Sequence, residues 1–179
     1  MNIEVEIRSF ISVEQYQHLK QFFTTEGTLL EQDEQETHYL QTSEDVRIQQ
    51  NQSSAKIVIK AGKVHDESRE ETEIICPPAE FRKMETLFST LNIPTKIKWF
   101  RQRHKFIWEG ITVCLDFTRG YGYILELEKM ATAEEKEKII TLLKEKLARL
   151  GIPLTPREEF EQQFKHYEQN WRELTTEKN

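Results

Sequence analysis

The N-terminal stretch Ile3-Glu4-Val5-Glu6-Ile7-Arg8 alternates apolar and charged residues. A period of two is typical of a β-strand that has one apolar face and one polar face. Residues i and i+2 of a strand point to the same side about 6.5–7 Å apart, so the carboxylates of Glu4 and Glu6 share the polar face. The stretch therefore predicts a half-buried strand. The charged face of this strand either lies in water, as in an ordinary sheet, or lines an internal site.

Seven later segments continue the strand pattern, and four capped amphipathic segments predict helices. The predicted strands cover about residues 28–41, 45–50, 56–60, 69–75, 96–107, 111–118 and 122–130. Helices are predicted after the capping residues Ser12, Pro77-Pro78, Thr132 and Thr155. Short connections favour antiparallel pairing, and about eight strands can close on themselves. The predicted fold is α+β, an eight-stranded antiparallel β-barrel with helices packed on the outside.

The polar faces of these strands carry charges that suit a binding site. They hold Glu4, Glu6, Arg8, Arg47, Gln49, Lys56, Lys60, Arg69, Glu71, Glu73, Arg101, Arg103, Lys105, Asp116, Glu126 and Glu128. One interpretation is a sheet with this face in water. The other places all of these faces inside a tunnel, because four amphipathic helices need the apolar faces to cover. A tunnel also brings two Glu-x-Glu pairs together if the last strand closes near the first.

Carboxylate oxygens are the ligands that Mg2+ or Mn2+ prefers, and such ions bridge to phosphate oxygens. Lys and Arg bind phosphate, Arg through two parallel hydrogen bonds. Because the formal net charge is −6, any anion must be bound by a local concentration of basic residues. The second interpretation therefore predicts a lumen in which acids hold a metal and bases hold an anion.

Composition narrows the class of protein. The 179 residues suit one domain, which we place at residues 1–174 with a frayed tail at 175–179. No segment has the roughly 20 apolar residues that a transmembrane helix needs, and the N-terminus lacks the apolar region of a signal peptide. Cys76 and Cys114 have no zinc spacing and are expected to be reduced. We expect a cytoplasmic protein that binds neither nucleic acid nor membrane; a homodimer is compatible with the sequence.

The ordered set of motifs resembles the CYTH superfamily, also called triphosphate tunnel metalloenzymes. Glu4-x-Glu6-x-Arg8 is similar to the Glu-x-Glu-x-Lys signature of that family, with Arg8 in place of Lys. The further matching elements are Val46-Arg47-Ile48, Ile57-Val58-Ile59-Lys60, Glu71-Thr72-Glu73, Arg101-Gln102-Arg103, Leu115-Asp116 and Gly120 to Glu128. The family fold is an eight-stranded antiparallel tunnel, which agrees with the strands counted above.

The resemblance implies roles for individual residues. Glu4, Glu6, Glu126 and Glu128 would be ligands of Mg2+ or Mn2+. Arg8, Arg47, Lys56, Lys60, Arg101 and Arg103 would bind a triphosphate. Glu71 or Glu73 would act at a second metal or at the attacking water, and Asp116 would orient a basic group. The implied function is hydrolysis of inorganic or organic triphosphate; class IV adenylyl cyclase activity on ATP and nucleotide binding without turnover are the alternatives.

Overall fold

The computed structural model describes residues 3–60 and 71–176, which form eight β-strands and four α-helices. The strands are β1 (Ile3–Ile11), β2 (Thr28–Leu40), β3 (Asp45–Gln50), β4 (Ala55–Lys60), β5 (Glu71–Cys76), β6 (Thr95–Trp108), β7 (Ile111–Thr118) and β8 (Gly122–Ala131). The helices are α1 (Val13–Glu26), α2 (Phe81–Thr90), α3 (Lys136–Arg149) and α4 (Arg157–Thr175), with a short 3-10 turn over Pro78–Glu80. The predicted α+β class and its eight strands are confirmed, while Arg69 lies outside the described residues.

One antiparallel sheet contains all eight strands in the order β1-β8-β7-β6-β2-β3-β4-β5. The described residues contain no ladder between the outermost strands β1 and β5, so hydrogen bonds do not close the sheet. The sheet is nevertheless curled. The Lys60 ammonium of β4 is near enough to Glu6 of β1 to oppose the rise in the pKa of Glu6 that burial imposes. The result is a tunnel-like enclosure whose wall has one seam.

Helices α1, α2 and α3 cover the outer face of the sheet, as predicted. Ser12 and Gln15 form the predicted capping box, and the α1 side chains that follow at helical spacing are buried. The core beneath α1 and α3 includes Val5, Ile7, Tyr16, Leu19, Phe23, Leu115, Leu125, Leu127, Leu143 and Leu147. Helix α2 covers a second core of Leu40, Ile48, Ala55, Phe81 and Met84. Burial of these apolar faces turns the charged faces inward.

Helix α4 packs on the opposite face of the sheet from the other three. Its Tyr167 and Trp171 form a core with Ile97 of β6, and Trp99 packs against the same core. Ile97 and Trp99 share the strand face of Arg101, because side chains two residues apart point to the same side. The Tyr167 hydroxyl donates to the carbonyl of Lys98 at 2.8 Å. The fourth helix thus packs at one end of the enclosure, whereas the sequence predicted that it would pack on the outside of the barrel.

The prediction that Thr155 caps α4 is wrong. The helix begins at Arg157 without a side-chain cap. The Thr155 hydroxyl instead accepts a hydrogen bond from the backbone N–H of Phe10 at 3.0 Å, and its own N–H donates to the Ser9 hydroxyl at 3.1 Å. Because β1 is an outermost strand, the backbone groups on its free side need such partners.

Candidate functional site

A cavity of about 460 Å³ lies inside the curled sheet and receives side chains from every strand and from α4. Twelve of the thirteen residues singled out from the sequence line it: Glu4, Glu6, Arg8, Arg47, Lys56, Lys60, Glu73, Arg101, Arg103, Asp116, Glu126 and Glu128. The thirteenth, Glu71, begins β5, and its side chain lies outside the described structure. The charged faces therefore converge on one enclosed space.

Four carboxylates form an acidic wall, consisting of Glu4 and Glu6 of β1 and Glu126 and Glu128 of β8. Glu6 lies directly opposite Glu128 in the ladder between these strands. Burial raises the pKa of Glu6, and the neighbouring charge of Glu126 raises it further. Burial also raises the pKa of Glu128 to about 7, with additional repulsion from Glu126 and Glu4. The wall is costly to ionise, and a divalent cation would offset that cost.

Cys114 of β7 adds a thiol beside the acidic wall. Its Sγ is 3.7 Å from Oε1 of Glu128, and burial raises the pKa of the thiol. The possible ligand atoms of Cys114, Glu126 and Glu128 lie within 4.8 Å of one another. The carboxylate oxygens of this group suit Mg2+ or Mn2+, whereas the neutral thiol does not.

Basic side chains from β3 and β6 form a basic wall, consisting of Arg47, Arg101 and Arg103. Asp116, which is 1% exposed, holds two of them. Arg103 donates through Nε to Oδ1 at 2.7 Å and through Nη2 to Oδ2 at 2.6 Å, and Arg101 donates to Oδ2 at 3.2 Å. Burial would lower the pKa of Arg103, but the charges of Asp116 and Glu126 raise it well above its usual value.

Glu126 joins the two walls. Arg103 also donates to Glu126, and the two lie within ion-pair distance. Burial acts to raise the pKa of Glu126, but the charges of Arg103, Arg101 and Arg8 outweigh it, so the pKa is lowered. Glu126 therefore stays ionised at the point where the acidic residues meet the arginines.

The remaining basic groups also have anchors. Arg47 donates to both oxygens of Asp45, at 2.7 and 2.5 Å, and its guanidinium lies 4.3 Å from the centre of the Tyr39 ring. Lys56 forms an ion pair with Glu73. The Arg8 guanidinium lies 5.0 Å from the ring of Phe160 in α4, so the last helix contributes to the cavity wall.

The profile of the CYTH domain family matches residues 2–164. The chain belongs to the CYTH domain family. Its tunnel-like sheet is thus the family fold, and the match extends to Phe164, which lines the cavity from α4. No curated protein matches the chain by sequence.

Solved structures show the same CYTH fold at low sequence identity. A conserved hypothetical protein from Pyrococcus furiosus is 21% identical, with a TM-score of 0.69 over 86% of this chain and 96% of the other. A candidate adenylyl cyclase from Hippeastrum, described as having a dominant triphosphatase activity, is 20% identical, with a TM-score of 0.65 over 86% and 89%. A candidate adenylate cyclase from Vibrio parahaemolyticus is 14% identical, with a TM-score of 0.66 over 88% and 96%.

Sequence reasoning missed the polar side chains that β2 contributes to this CYTH cavity. Gln35 lines the cavity and accepts hydrogen bonds from Arg101, while Asp33 is buried behind it. Strand β2 is polar on both faces, so it offers no alternation that could show which side points inward. Spacing places Asp33 and Gln35 on the same face as Tyr39, but nothing in the sequence of β2 shows that this face points inward. No helix in the described part of the chain is long and apolar enough to cross a membrane.

Proposed function

We propose that this chain is a divalent-metal-dependent hydrolase of a triphosphate, either inorganic triphosphate or an organic one. The observation that carries the proposal is the meeting of an acidic wall and a basic wall in one enclosed cavity. A polyanion that carries metal ions complements both walls at once, since the carboxylates bind the cation and the arginines bind phosphate oxygens.

The donor set fits a hard divalent ion. Glu4, Glu6, Glu126 and Glu128 would hold Mg2+ or Mn2+ through carboxylate oxygens. The raised pKa values of Glu6 and Glu128 support this assignment, because a cation offsets both causes of the rise, first burial and then repulsion from neighbouring carboxylates. When bound, the ion would neutralise part of the charge on the phosphate oxygens.

The side chains of the cavity would orient the triphosphate for attack by water. Arg8, Arg47, Lys56, Lys60, Arg101 and Arg103 would bind its oxygens. Water attacks the terminal phosphorus, the bond from that phosphorus to the bridging oxygen breaks, and inorganic triphosphate yields phosphate and diphosphate. We assign the proton of the water to Glu73, with Glu71 of the same strand as the alternative. Asp116 holds Arg101 and Arg103 in place, which lowers the reorganisation that the transition state requires.

Phosphate release from tripolyphosphate with Mg2+ or Mn2+ tests the proposal. Glu6→Gln and Glu126→Gln should each lower turnover at least ~100-fold, because each removes a charge that the ion needs while keeping the shape of the side chain. Glu145→Gln, on the exposed face of α3, is the matched control and should keep full turnover. Full turnover in both cavity variants would refute the site. Tight calorimetric binding with no product over hours would make the chain a binding module.

The second candidate is an adenylyl cyclase of class IV, in which the ribose 3′-hydroxyl of ATP attacks instead of water. Aromatic rings favour it, since Tyr39, Trp99 and Tyr121 line the cavity and an adenine can stack on such rings. Three structural neighbours are also described as candidate adenylyl cyclases, one of them with a dominant triphosphatase activity. Incubation with ATP separates the activities, because the cyclase yields cyclic AMP and diphosphate whereas the hydrolase yields ADP or AMP.

The partner that this proposal implies is a small triphosphate or nucleotide. The net charge of −6 disfavours nucleic acid as a partner. A cytoplasmic location stays a prediction, as does a homodimer.

A further inference from the structure

A chain of side-chain hydrogen bonds leads from a surface turn to the guanidinium of Arg101. We call Asn51, Asp33 and Gln35 the β2 relay. Oδ2 of Asp33 accepts hydrogen bonds from Nε2 of Gln35 at 2.9 Å and from Nδ2 of Asn51 at 2.8 Å. Oε1 of Gln35 accepts from Nε of Arg101 at 3.0 Å and from Nη2 at 2.5 Å. The relay therefore ends on one of the arginines proposed to bind triphosphate.

Asp33 fixes which way the Gln35 amide points. A glutamine amide has a donating end and an accepting end, whereas a guanidinium only donates. If the amide of Gln35 were reversed, its NH2 group would face the N–H groups of Arg101. The carboxylate of Asp33 accepts the Gln35 NH2 group and so keeps the oxygen turned towards Arg101. Asp33 is only 8% exposed, which strengthens this preference.

Asn51 anchors the other end of the relay. Its Oδ1 accepts hydrogen bonds from the backbone N–H groups of Ser53 at 3.0 Å and Ser54 at 2.8 Å, so its NH2 group must face Asp33. The turn between β3 and β4 thereby holds the Asp33 carboxylate in place. Each link has one donor and one acceptor, so the direction of the whole relay is set.

Arg101 is consequently held on both edges. Gln35 takes one N–H from Nε and one from Nη2, and Asp116 takes one from Nη1 at 3.2 Å. A guanidinium has five N–H groups, so within the described part of the chain one on Nη1 and one on Nη2 remain available to phosphate oxygens. Arg binds phosphate best through two hydrogen bonds in one plane, so contacts that fix the plane of Arg101 favour this mode of binding.

We propose that Asp33, which does not itself line the cavity, is a positioning residue that controls triphosphate binding through Gln35 and Arg101. This inference rests on the proposed function, because it takes triphosphate as the occupant of the cavity. It assigns to β2 a role that neither the charge pattern nor the family motifs indicated.

Steady-state kinetics of Asp33→Leu with tripolyphosphate and Mg2+ test the inference, because Leu has a similar shape but offers no acceptor to the amides of Gln35 and Asn51. The variant should raise KM about tenfold and change kcat less than about twofold, because a misaligned Arg101 weakens substrate and transition state alike. A purely structural role would instead lower the active fraction, and therefore kcat, at unchanged KM. Glu34→Gln is the matched control, since Glu34 is the exposed neighbour that accepts from Gln102 at 3.3 Å. Its KM should not change.

A double-mutant cycle shows whether Asp33 acts through Arg101. Lys cannot form the two-pronged contact, so Asp33→Leu should have no further effect on KM in an Arg101→Lys background. Independent effects that multiply would overturn the proposal. If Asp33→Leu does not fold, Gln35→Met breaks the same relay in the cavity wall, and the same cycle applies to it.

Calorimetry separates this inference from the proposed function. If the wild-type chain binds tripolyphosphate without hydrolysing it, the hydrolase proposal fails and the relay is still tested. About tenfold weaker binding by Asp33→Leu then supports the relay, and unchanged affinity overturns it. Wild-type protein that binds no tripolyphosphate overturns both.

Discussion

The acidic wall and the basic wall of the cavity differ in how their charges are compensated. Burial raises the pKa values of Glu6 and Glu128 on the acidic wall, and neighbouring carboxylates raise them further. On the basic wall, Arg103 and Arg47 are each held by a carboxylate of the same sheet. The basic wall is thus preorganised by the chain, whereas the acidic wall is complemented best by a cation. This contrast suits a ligand that consists of a metal and a polyanion.

Removing the anchor of the basic wall should have the largest effect. Asp116→Asn leaves two guanidinium groups without their shared negative charge in a buried site. We expect about 100-fold lower kcat/KM for tripolyphosphate. We also expect a melting temperature about 10 °C lower, since breaking a buried ion pair costs about 3 kcal/mol or more. Phosphate release and thermal unfolding measure the two effects, with Glu145→Gln as the control. A melting temperature within about 2 °C of wild type would show that the basic wall does not depend on Asp116.

The pH dependence of stability should expose the strain of the acidic wall. Burial, reinforced by Glu126 and opposed by Arg103, raises the pKa of Glu128 from 4.5 to about 7. Because the folded state favours protonated Glu128, this group contributes to the free energy of unfolding. The contribution is fully present below pH 4.5 and is lost as the pH rises through about 7. With EDTA present, the melting temperature of wild type should fall about 5 °C more than that of Glu128→Gln between about pH 4.5 and pH 8. If the melting temperatures of the two proteins change with pH in parallel, the acidic wall is not strained and the contrast between the walls is lost. If Mn2+ in place of EDTA makes the fall in the melting temperature of wild type smaller, the contrast is strengthened.

The smallest effect is expected at Arg8, which adds a positive charge to the strand of Glu4 and Glu6. Lys keeps the charge but loses the planar group that lies over Phe160. Arg8→Lys should raise KM for tripolyphosphate about threefold at unchanged kcat, which is the size of a modest cation–π contact. Arg8→Gln also removes the charge and should raise KM about 30-fold. Equal KM values for the two variants would mean that the charge of Arg8 plays no part in binding.

Most of the fold and one side of the site followed from alternation in the sequence. Apolar and charged residues alternate in β1 and β8, which fixes the faces of Glu6 and Glu128 before any pairing is known. The two Glu-x-Glu pairs were expected to come together if the last strand closed near the first, and the ladder between β1 and β8 meets that condition. The charges themselves, with acids on these strands and arginines on β6, indicated the kind of ligand.

The relay could not be predicted because β2 is polar on both faces. Only its pairing with β6, which sets Asp33 opposite Arg103 and Gln35 opposite Arg101, shows which side chains turn inward. Thr155 is a similar case, since its hydroxyl had two possible partners, the next helix or the free side of β1. In the structure it bonds to the backbone of β1, a contact between residues that are 145 positions apart in the chain.

The sequence by itself determined the strands, their two faces and the kinds of charge that the cavity holds, because alternation depends only on the covalent spacing of neighbouring residues. The tertiary structure alone decided that Asp116 serves two arginines, that Asp33 reaches Arg101 through Gln35, and that α4 packs on the inner face of the sheet. Each of these depends on which distant segments meet when the sheet curls. Local patterns in the sequence do not indicate which distant segments come into contact.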